Sequence, residues 1–397
     1  MQSLKLFDRG FAEIPTPAYI VYEEKLRNNL KKLKDVSEDC NVKIIMALKA
    51  NALWKTFPII KEYFQSSTAS SINEMRLANE FLGNDIHSYC PVYVKESFPQ
   101  FLRGCSHITF NSVNQFKNFW PEIEEYRKQT GKHVSPGLRV NPKCSVISHD
   151  IYNPAVPGSR FGMSADQLGD SLPEGIEGFH FHMLCESGPE ELQQVLQKFE
   201  KDFGKYLGQI KWVNFGGGHL ITRKDYDTKY LKKIISEFKS RYPHLEIIME
   251  PGSAFTWQTG DLLVTILDIV EDEGIKTAII DSSFACHMPD CLEMPYKPVI
   301  EEALTDDSEG GYEYRIGGNT CLAGDYISSW KFGKPLKPGD RLTFKDMNHY
   351  TTVKTHMFNG VHHPSMWLVR QSKSENGKEE AVLLREFTYE DYRNRMD

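Results

Sequence analysis

The sequence lacks the features that mark membrane, exported and nucleic-acid-binding proteins. No apolar run reaches the roughly 18 residues that a membrane-spanning helix needs, and the first residues lack the apolar core of a signal peptide. No basic cluster occurs, and 47 Lys and Arg against 54 Asp and Glu give a formal net charge of −7. We therefore expect a protein that binds neither nucleic acid nor membranes and that suits a small-molecule partner.

Paired cysteines are also missing. The eight cysteines are scattered through 397 residues, and no two of them form a C-x-x-C pair. In a long chain without an export signal, such cysteines are expected to be reduced thiols, so we predict a cytoplasmic protein. Hydrophobic residues supply 40% of the chain, which excludes a mostly disordered protein and allows a large core.

What the sequence does contain is a regular alternation of apolar and amphipathic segments. Continuous apolar runs are typical of strands covered on both faces, and segments such as Asn73–Leu82 and Pro189–Phe203 have helical spacing. Eight such strands indicate a (β/α)₈ TIM-type barrel, with a doubly wound open sheet as the alternative. The predicted strands are Lys43–Ala47, Ser67–Ser70, His87–Cys90, His107–Phe110, Pro136–Val140, Gly178–His182, Lys211–Phe215 and Glu246–Glu250.

The pattern changes after Pro251, where helical segments become scarce. Leu262–Val270, Lys276–Asp281 and Arg341–Phe344 are rich in β-forming residues, and the segment 337–340 is typical of a tight turn. We therefore predict an α/β protein in two domains. The barrel would cover residues 18–262, and a mostly β domain would cover residues 263–397 together with 1–17.

Polar residues follow most of the predicted barrel strands at the point where each strand ends. These ends meet at one rim of a barrel, where such enzymes keep their active sites. Convergence from several strands is better evidence for a site than any single residue. The residues concerned are Lys49, Ser70, Ser71, Asn111, Arg139, Asn141, His182, Gly216, Gly217, Gly218 and Glu250.

Three of these positions carry a specific chemical expectation. Lys49 has apolar neighbours; desolvation would lower the pKa of its amine and suit Schiff-base chemistry, unless its head reaches solvent. The run 216–218 would bring backbone N–H groups close to a phosphate, or form only a tight turn. Glu250 ends an apolar strand and needs a cation, either a protonated pyridine nitrogen or a base such as Arg139.

The remaining polar residues give weaker signals. His180 and His182 alternate on one strand and face the same side, but no H-E-x-x-H or C-x-x-C spacing accompanies them, so no metal is expected. The loops 281–290 and 321–325 would either carry function or cap turns.

Seven segments together resemble the fold-type III pyridoxal-phosphate decarboxylases, which join an alanine-racemase-like barrel to a β domain. They are MALKAN at 46–51, STASSINE at 67–74, FHFHMLCE at 179–186, FGGGH at 215–219, EPGSA at 250–254, CLAGD at 321–325 and HYTTVK at 349–354. The resemblance runs over essentially the whole chain. Within the family, TASSINE, SRFGM, HMPDCLEMPY and FNGVHH are similar to the carboxynorspermidine (carboxyspermidine) decarboxylases.

The resemblance implies a pyridoxal-phosphate-dependent carboxy-lyase of polyamine and spermidine biosynthesis. It would convert carboxynorspermidine or carboxyspermidine to norspermidine or spermidine. Lys49 would hold pyridoxal 5'-phosphate, His182 would stack on its ring beside Arg139, and Glu250 would pair with the ring nitrogen. Gly216, Gly217, Gly218 and Tyr350 would bind the phosphate.

The family also builds its sites at a homodimer interface. Cys321 and Asp325 would therefore reach the partner subunit's site, and Cys321 or Lys49 would return the proton, with His182 as a further catalytic residue. The cationic arm of the substrate would meet acidic groups. The residues expected to contact substrate are Glu250, His287, Asp290, Glu293 and Asp325.

The chain departs from the wider family at two places, and other reactions remain open on the same fold. Ser253 stands where relatives often have Arg, and residues 183–187 replace a Gly-Ser pair, which alters the phosphate contacts and the pocket beside the ring. The alternatives are a diaminopimelate or ornithine-type decarboxylase, a racemase with Tyr350 as second base, a metal-assisted aldolase or dehydratase, and a non-catalytic cofactor carrier. The segment His362–His363 has no nearby Cys for a metal, and the long β-rich tail argues against a carrier.

Overall fold

The computed structural model describes residues 3–5, 13–147, 150–372 and 378–397. The chain divides into two compact units, a barrel unit of Arg27–Phe255 and a sheet unit of Met1–Leu26 with Thr256–Asp397. Among the described residues, no helix combines the length and the apolar character that crossing a membrane requires.

The barrel unit closes on itself through parallel strands. The first predicted strand is interrupted at Ile45, and its two halves pair with the last strand on one side and the second on the other. This closure confirms the predicted barrel and excludes the open sheet. The strands, numbered along the whole chain, are β3 (Lys43–Ile44), β4 (Met46–Ala47), β5 (Ser66–Ala69), β6 (Asp85–Tyr89), β7 (His107–Phe110), β8 (Ser135–Arg139), β9 (Gly178–His180), β10 (Trp212–Asn214) and β11 (Glu246–Met249).

Helices connect these strands, and local capping sets where several of them begin. Ser71 accepts a hydrogen bond from Glu74 N at 3.2 Å, and Ser112 accepts one from Gln115 N at 3.1 Å, so two helices start directly after these residues. The helices are α1 (Glu23–Cys40), α2 (Phe57–Lys61), α3 (Ile72–Phe81), α4 (Phe98–Gly104), α5 (Val113–Thr130), α6 (Pro189–Phe203), α7 (Thr228–Arg241) and α8 (Gly252–Thr256).

A single indole fills part of the barrel interior. Trp212 packs with Ile45 and Ile248, and its ring lies so close to Gly137 and Gly178 that a Cβ there would come within 2.3 Å and 2.0 Å of it. The glycines on two neighbouring strands therefore make room for the ring. Its Nε1 donates to Ser135 Oγ at 2.8 Å, which satisfies the one polar atom of the buried side chain.

The sheet unit is a mixed sheet, and both chain segments of the unit contribute strands to it. Residues 18–22, placed in the barrel by the sequence prediction, instead pair with strands of this sheet. The predicted turn at 337–340 is present, with Lys337 N donating to Asp340 Oδ2 at 3.0 Å. The strands are β1 (Ser3–Lys5), β2 (Ala18–Tyr22), β12 (Gly260–Asp272), β13 (Ile275–Ile280), β14 (Tyr312–Gly317), β15 (Tyr326–Phe332), β16 (Arg341–Phe344), β17 (Ser365–Gln371) and β18 (Glu379–Arg385), and the helices are α9 (Phe284–His287), α10 (Asp290–Glu293) and α11 (Tyr389–Arg393).

A network of polar side chains centred on Asp85 lies at the amino-terminal ends of several barrel strands. Asp85 pairs with Lys43 Nζ at 2.8 Å and accepts hydrogen bonds at 2.6 Å from both Ser66 and Ser106. Burial raises the pKa of Asp85, but His87, Lys43 and Ser106 outweigh that effect and hold the pKa well below its ordinary range. The carboxylate therefore ties the starts of β3, β5, β6 and β7 together.

We expect Asp85→Asn to lower the free energy of unfolding by about 1–2 kcal/mol at neutral pH, because the amide loses charge-assisted hydrogen bonds. The carboxylate has a lower pKa folded than unfolded. Its contribution is therefore complete above the unfolded pKa of about 3.9 and is lost as the pH falls below it. Urea denaturation of both proteins across that range checks this. Asp170→Asn is the control, since that side chain is fully exposed; a variant as stable as the wild type would contradict the role of Asp85.

Candidate active site

The predicted rim residues of the barrel unit lie at or just beyond the carboxyl ends of its strands. Lys49 follows β4 by two residues, Arg139 ends β8 and His182 follows β9 by two residues. Gly216 follows β10 by two residues, and Glu250 comes directly after β11. Since parallel neighbours in a closed barrel end at the same rim, the fold brings these five positions to one face.

Lys49 has an amine whose surroundings oppose its charge. Burial of the amine lowers its pKa below the ordinary lysine value, and Arg139 adds to this effect, whereas Glu250, Glu74 and Cys185 act in the opposite direction. The side chain nevertheless keeps exposed surface, so a small molecule can reach it. A desolvated lysine supplies more neutral amine near neutral pH, which is what attack on a carbonyl requires.

Glu250 is buried, with 6% of its surface exposed, and only one of its oxygens is firmly held. Asn214 Nδ2 donates to Oε1 at 2.7 Å, while Oε2 lies 3.9 Å from His180 Nε2. His180 Nε2 is a buried nitrogen without a hydrogen-bond partner within the described part of the chain. Burial, followed by the charges of Arg139 and Lys49, lowers the pKa of His180 well below its usual value, so the ring is neutral. A carboxylate with one open oxygen beside an unsatisfied imidazole fits a protonated heteroaromatic nitrogen.

The run after β10 must be glycine because backbone atoms of neighbouring segments approach it closely. A Cβ on Gly216 would come within 2.4 Å of Phe181 O, and one on Gly218 within 2.1 Å of Leu184 O. Both residues also have positive φ, +71° and +87°. The N–H of Gly217 donates to His182 Nδ1 at 3.0 Å, so this loop also orients the imidazole.

The family resemblance places the phosphate of pyridoxal phosphate at this loop. We therefore expect Gly218→Ala to weaken binding of the cofactor by at least about tenfold, because the loop must shift to relieve the clash and the positive φ. Titrating the apoprotein with the cofactor, followed by absorbance, measures this. Gly208→Ala is the control, because an added Cβ at that position meets nothing within 4 Å. Equal affinities for the two variants would show that the shape of the loop does not matter for the cofactor.

Arg139 is held between two aromatic rings. Its guanidinium lies 4.4 Å from the ring centroid of Tyr89 and 4.6 Å from that of Phe161. Asn111 fixes this arrangement, since its Oδ1 accepts hydrogen bonds at 2.8 Å from the Tyr89 hydroxyl and from Gly162 N. The planar cation therefore has a set orientation at the rim.

The other predicted residues belong to the sheet unit. Tyr350 has φ +49° and ψ −48° and is the central residue of a γ-turn, in which Thr351 N donates to His349 O. Such a backbone costs about 1–3 kcal/mol and is typical of functional positions. Cys321 has an exposed side chain, and its backbone N donates to Asn359 Oδ1 at 2.8 Å.

The predicted acidic residues of the sheet unit already have partners inside it. Asp325 is buried; its Oδ1 accepts from Ser283 Oγ and Ala285 N, each at 3.0 Å, and its Oδ2 from the Thr320 hydroxyl at 2.6 Å. This side chain organises its own loop.

A lysine engages the other two acids. Asp290 and Glu293 both form ion pairs with Lys354. His287 is fully buried, with its Nδ1 2.9 Å from Ser282 Oγ. A contact between substrate and any of these three residues stays a prediction.

Two groups of described side chains have the spacing of metal ligands, Asp85–His87–His107 and His180–His182–Glu250. In the first group the two imidazoles are stacked, 3.9 Å apart and 18° from parallel, so their in-plane lone pairs do not converge, and Lys43 already supplies a cation. In the second group His182 Nδ1 accepts a hydrogen bond, so the neutral ring carries its proton on Nε2. The predicted absence of a metal stays a prediction.

Sequence reasoning missed two residues that the structure makes prominent. Asn214 is 2% exposed and contacts Glu250, and Lys354 pairs with both acids of α10. A polar residue inside the apolar segment WVNF is the signal that would have found Asn214. No local signal identifies Lys354, because its partners lie about sixty positions earlier in the chain.

Comparison with known proteins gives matches along most of the chain. Residues 20–348 match a family described as "Pyridoxal-dependent decarboxylase, C-terminal sheet domain". The chain is 46% identical to carboxyaminopropylagmatine decarboxylase of Synechocystis sp., covering 97% of this chain and 96% of the relative. It is 38% identical to carboxynorspermidine/carboxyspermidine decarboxylase of Campylobacter jejuni, covering 96% and 98%.

Solved structures agree as well. The crystal structure of carboxynorspermidine decarboxylase from Campylobacter jejuni, complexed with norspermidine, superposes with a TM-score of 0.84 at 38% identity, covering 96% of this chain and all of that one. Diaminopimelate decarboxylase from Helicobacter pylori superposes with a TM-score of 0.79 at 18% identity, covering 97% and 98%, which shows a shared fold.

Proposed function

The chain belongs to the pyridoxal-dependent decarboxylases, and we propose that it removes the carboxyl group from a carboxylated aminopropyl polyamine. The observation that carries this proposal is near-full-length identity of 33–46% to relatives that are named for substrates of this class. Carboxynorspermidine and carboxyspermidine are the first candidates. Carboxyaminopropylagmatine is the second, favoured by the relative at 46% identity.

When bound, pyridoxal phosphate supplies the electron sink for the carbanion that remains when CO₂ leaves an amino acid. The residues at the barrel rim would hold it in distinct ways. Lys49 would provide the amine for covalent attachment, and Glu250, through the oxygen that Asn214 leaves open, would pair with the ring nitrogen and favour its protonated form. In the loop 216–218, the first two N–H groups already donate to Asn214 Oδ1 and His182 Nδ1. The N–H of Gly218 would therefore receive the phosphate, with Tyr350 as an additional donor.

Residues near the reacting carbon would then position the cofactor ring and transfer the proton. His182, whose Nδ1 accepts a hydrogen bond from Gly217 N–H, would stack on the cofactor. Cys321, whose thiol is exposed, or Lys49 would return a proton to the carbon. The amino and guanidino arms of the candidate substrates are cationic, so they would bind Asp290 or Glu293 by displacing Lys354 from its ion pairs with these acids.

Measuring CO₂ release from a substrate panel tests the proposed function. The panel holds carboxynorspermidine, carboxyspermidine and carboxyaminopropylagmatine, with meso-diaminopimelate and ornithine as controls that the wider fold accepts. We expect the largest kcat/KM for one of the first three. A larger value for either control would overturn the substrate class while leaving the chemistry in place, and conversion without CO₂ release would favour a racemase.

We also propose that the enzyme is a homodimer with shared sites, in which the loop carrying Cys321 completes the partner's site. Mixing Lys49→Ala with Cys321→Ala should then restore activity, because one of the two sites in each mixed dimer is intact. Random assortment makes half the dimers mixed, so the mixture should recover roughly a quarter of wild-type activity. Cys321 suits this test better than Asp325, whose carboxylate holds its own loop together.

The complementation needs three controls, of which the first is that each variant is inactive on its own. Analytical ultracentrifugation must show that each variant is a dimer, and exchange between labelled and unlabelled subunits must be complete. Activity that stays at the parental level after full exchange would show that each subunit's site is self-contained.

A reducing compartment is the third part of the proposal. Each of the eight cysteines, all within the described residues, is a free thiol, and five of them are buried. Stable free thiols suit a cytoplasmic enzyme.

A further inference from the structure

Asn214 links the two parts of the cofactor site that lie on different strands. It is the last residue of β10 and is 2% exposed. Its Nδ2 donates to Glu250 Oε1 at 2.7 Å, and its Oδ1 accepts from Gly216 N at 2.8 Å. One side chain therefore contacts both the acid that would face the ring nitrogen and the first glycine of the phosphate loop.

The orientation of this amide follows from its neighbours. Gly216 N–H can only donate, so the atom that faces it must be the carbonyl oxygen of Asn214. The NH₂ group then points at Glu250, where a carboxylate can only accept. Among side chains of this size only an amide satisfies both partners, because aspartate offers two acceptors and leucine offers neither.

Backbone hydrogen bonds around Asn214 make this arrangement rigid. Phe181 N donates to Asn214 O at 3.0 Å, and Glu250 N donates to Gly216 O at 2.8 Å. The segments that follow β9, β10 and β11 are therefore tied together at the rim. Within this frame, the amide of Asn214 sets which way the Glu250 carboxylate is turned.

We propose that Asn214 is a positioning residue that orients Glu250 toward the cofactor's ring nitrogen and, through its other end, holds the phosphate loop. By holding Oε1, it leaves Oε2 as the oxygen that faces the site. The inference rests on the proposed role of Glu250. If Glu250→Gln keeps full activity, that role fails, whatever the Asn214 variants do.

The two ends of the amide can be tested separately. Asn214→Asp keeps the acceptor for Gly216 N–H, removes the donor to Glu250 and places a second carboxylate beside it. Asn214→Leu removes both interactions at nearly constant volume. Asn118→Asp and Asn118→Leu, at an exposed position on α5, are matched controls.

We expect Asn214→Asp to bind pyridoxal phosphate within about threefold of wild type while kcat falls about 10- to 100-fold and KM stays near its original value. Asn214→Leu should lose cofactor affinity as well, by about tenfold or more, because the loop also loses its anchor. Cofactor titration of the apoprotein, kcat at saturating cofactor and the absorption spectrum of the bound cofactor provide three readouts. A purely structural role would lower only the melting temperature.

Three outcomes would overturn the inference. The first is normal kcat in both variants at saturating cofactor. The second is an equal loss of cofactor affinity in the two variants, which would show that the ends do not act separately. The third is an unchanged spectrum together with unchanged kcat in Asn214→Ala, which removes both ends of the amide. This third variant decides the matter if the leucine variant does not fold.

Discussion

Replacing Lys49 by alanine is expected to abolish measurable CO₂ release, with kcat falling by at least about 10³. The reason is that alanine removes both the amine that attaches the cofactor and one of the two groups proposed to return the proton. The fold should survive, because Lys49 lies in the turn after β4 and its side chain has exposed surface. Steady-state assays at saturating cofactor, with circular dichroism to verify folding, measure the effect.

Chemical labelling makes the assignment specific to this lysine. Borohydride makes the bond between lysine and cofactor permanent, and peptide mapping of the wild-type protein should then find the cofactor on Lys49. Lys49→Arg should be as inactive as the alanine variant, because arginine keeps the charge but does not supply a neutral amine. Lys34→Ala, on the exposed face of α1, is the control. A label on another lysine would contradict the proposal that Lys49 attaches the cofactor.

The desolvation of Lys49 is a feature that the sequence alone partly predicts. Its apolar neighbours at 47–50 indicate burial, and the structure agrees that burial is the largest cause of the lowered pKa. The balancing groups could not be predicted in the same way. Arg139, Glu250 and Glu74 come from other strands and loops, and only barrel closure brings them near the amine.

The barrel itself was predictable because its signal is local. Several of the strands are short apolar runs, and α6 begins and ends at the predicted Pro189 and Phe203. The division between units was harder to predict. The strand Ala18–Tyr22 is apolar like a barrel strand, yet it pairs with β12 and β17, more than 200 residues away. A run of apolar residues predicts a strand but does not identify its partner.

Side-chain networks were the least predictable part of the site. The sequence indicates that Glu250 needs a cation, but it does not show that Asn214 holds one of its oxygens. It also suggests acids for a cationic arm without showing that Lys354 already occupies Asp290 and Glu293. These contacts require segments far apart in the chain to be placed to within a few tenths of an ångström. Residue patterns carry no information at that precision.

Glu250→Gln is expected to retain the cofactor and to lose about 10²–10³ in kcat. The amide can still accept from Asn214 Nδ2 through its oxygen, so the buried contact at 2.7 Å and the local packing should persist. Its NH₂ group, however, cannot hold a proton on the ring nitrogen, and the carbanion then loses much of its electron sink. Single-turnover CO₂ release at saturating substrate separates this chemical step from binding and product release.

Two further variants show whether the charge of Glu250 or only its shape accounts for the expected loss of kcat. Glu250→Asp keeps the charge but withdraws it by about one bond length, so its activity should lie between those of wild type and the glutamine variant. Glu246→Gln, on the same strand but exposed, should be as active as wild type. The buried carboxylate has one oxygen bound to Asn214 and one open, and the open oxygen can stabilise a protonated ring nitrogen only if it carries charge. A glutamine variant that turns over at the wild-type rate with normal cofactor content would mean that the ring nitrogen needs no anionic partner here and that Glu250 is retained for packing alone.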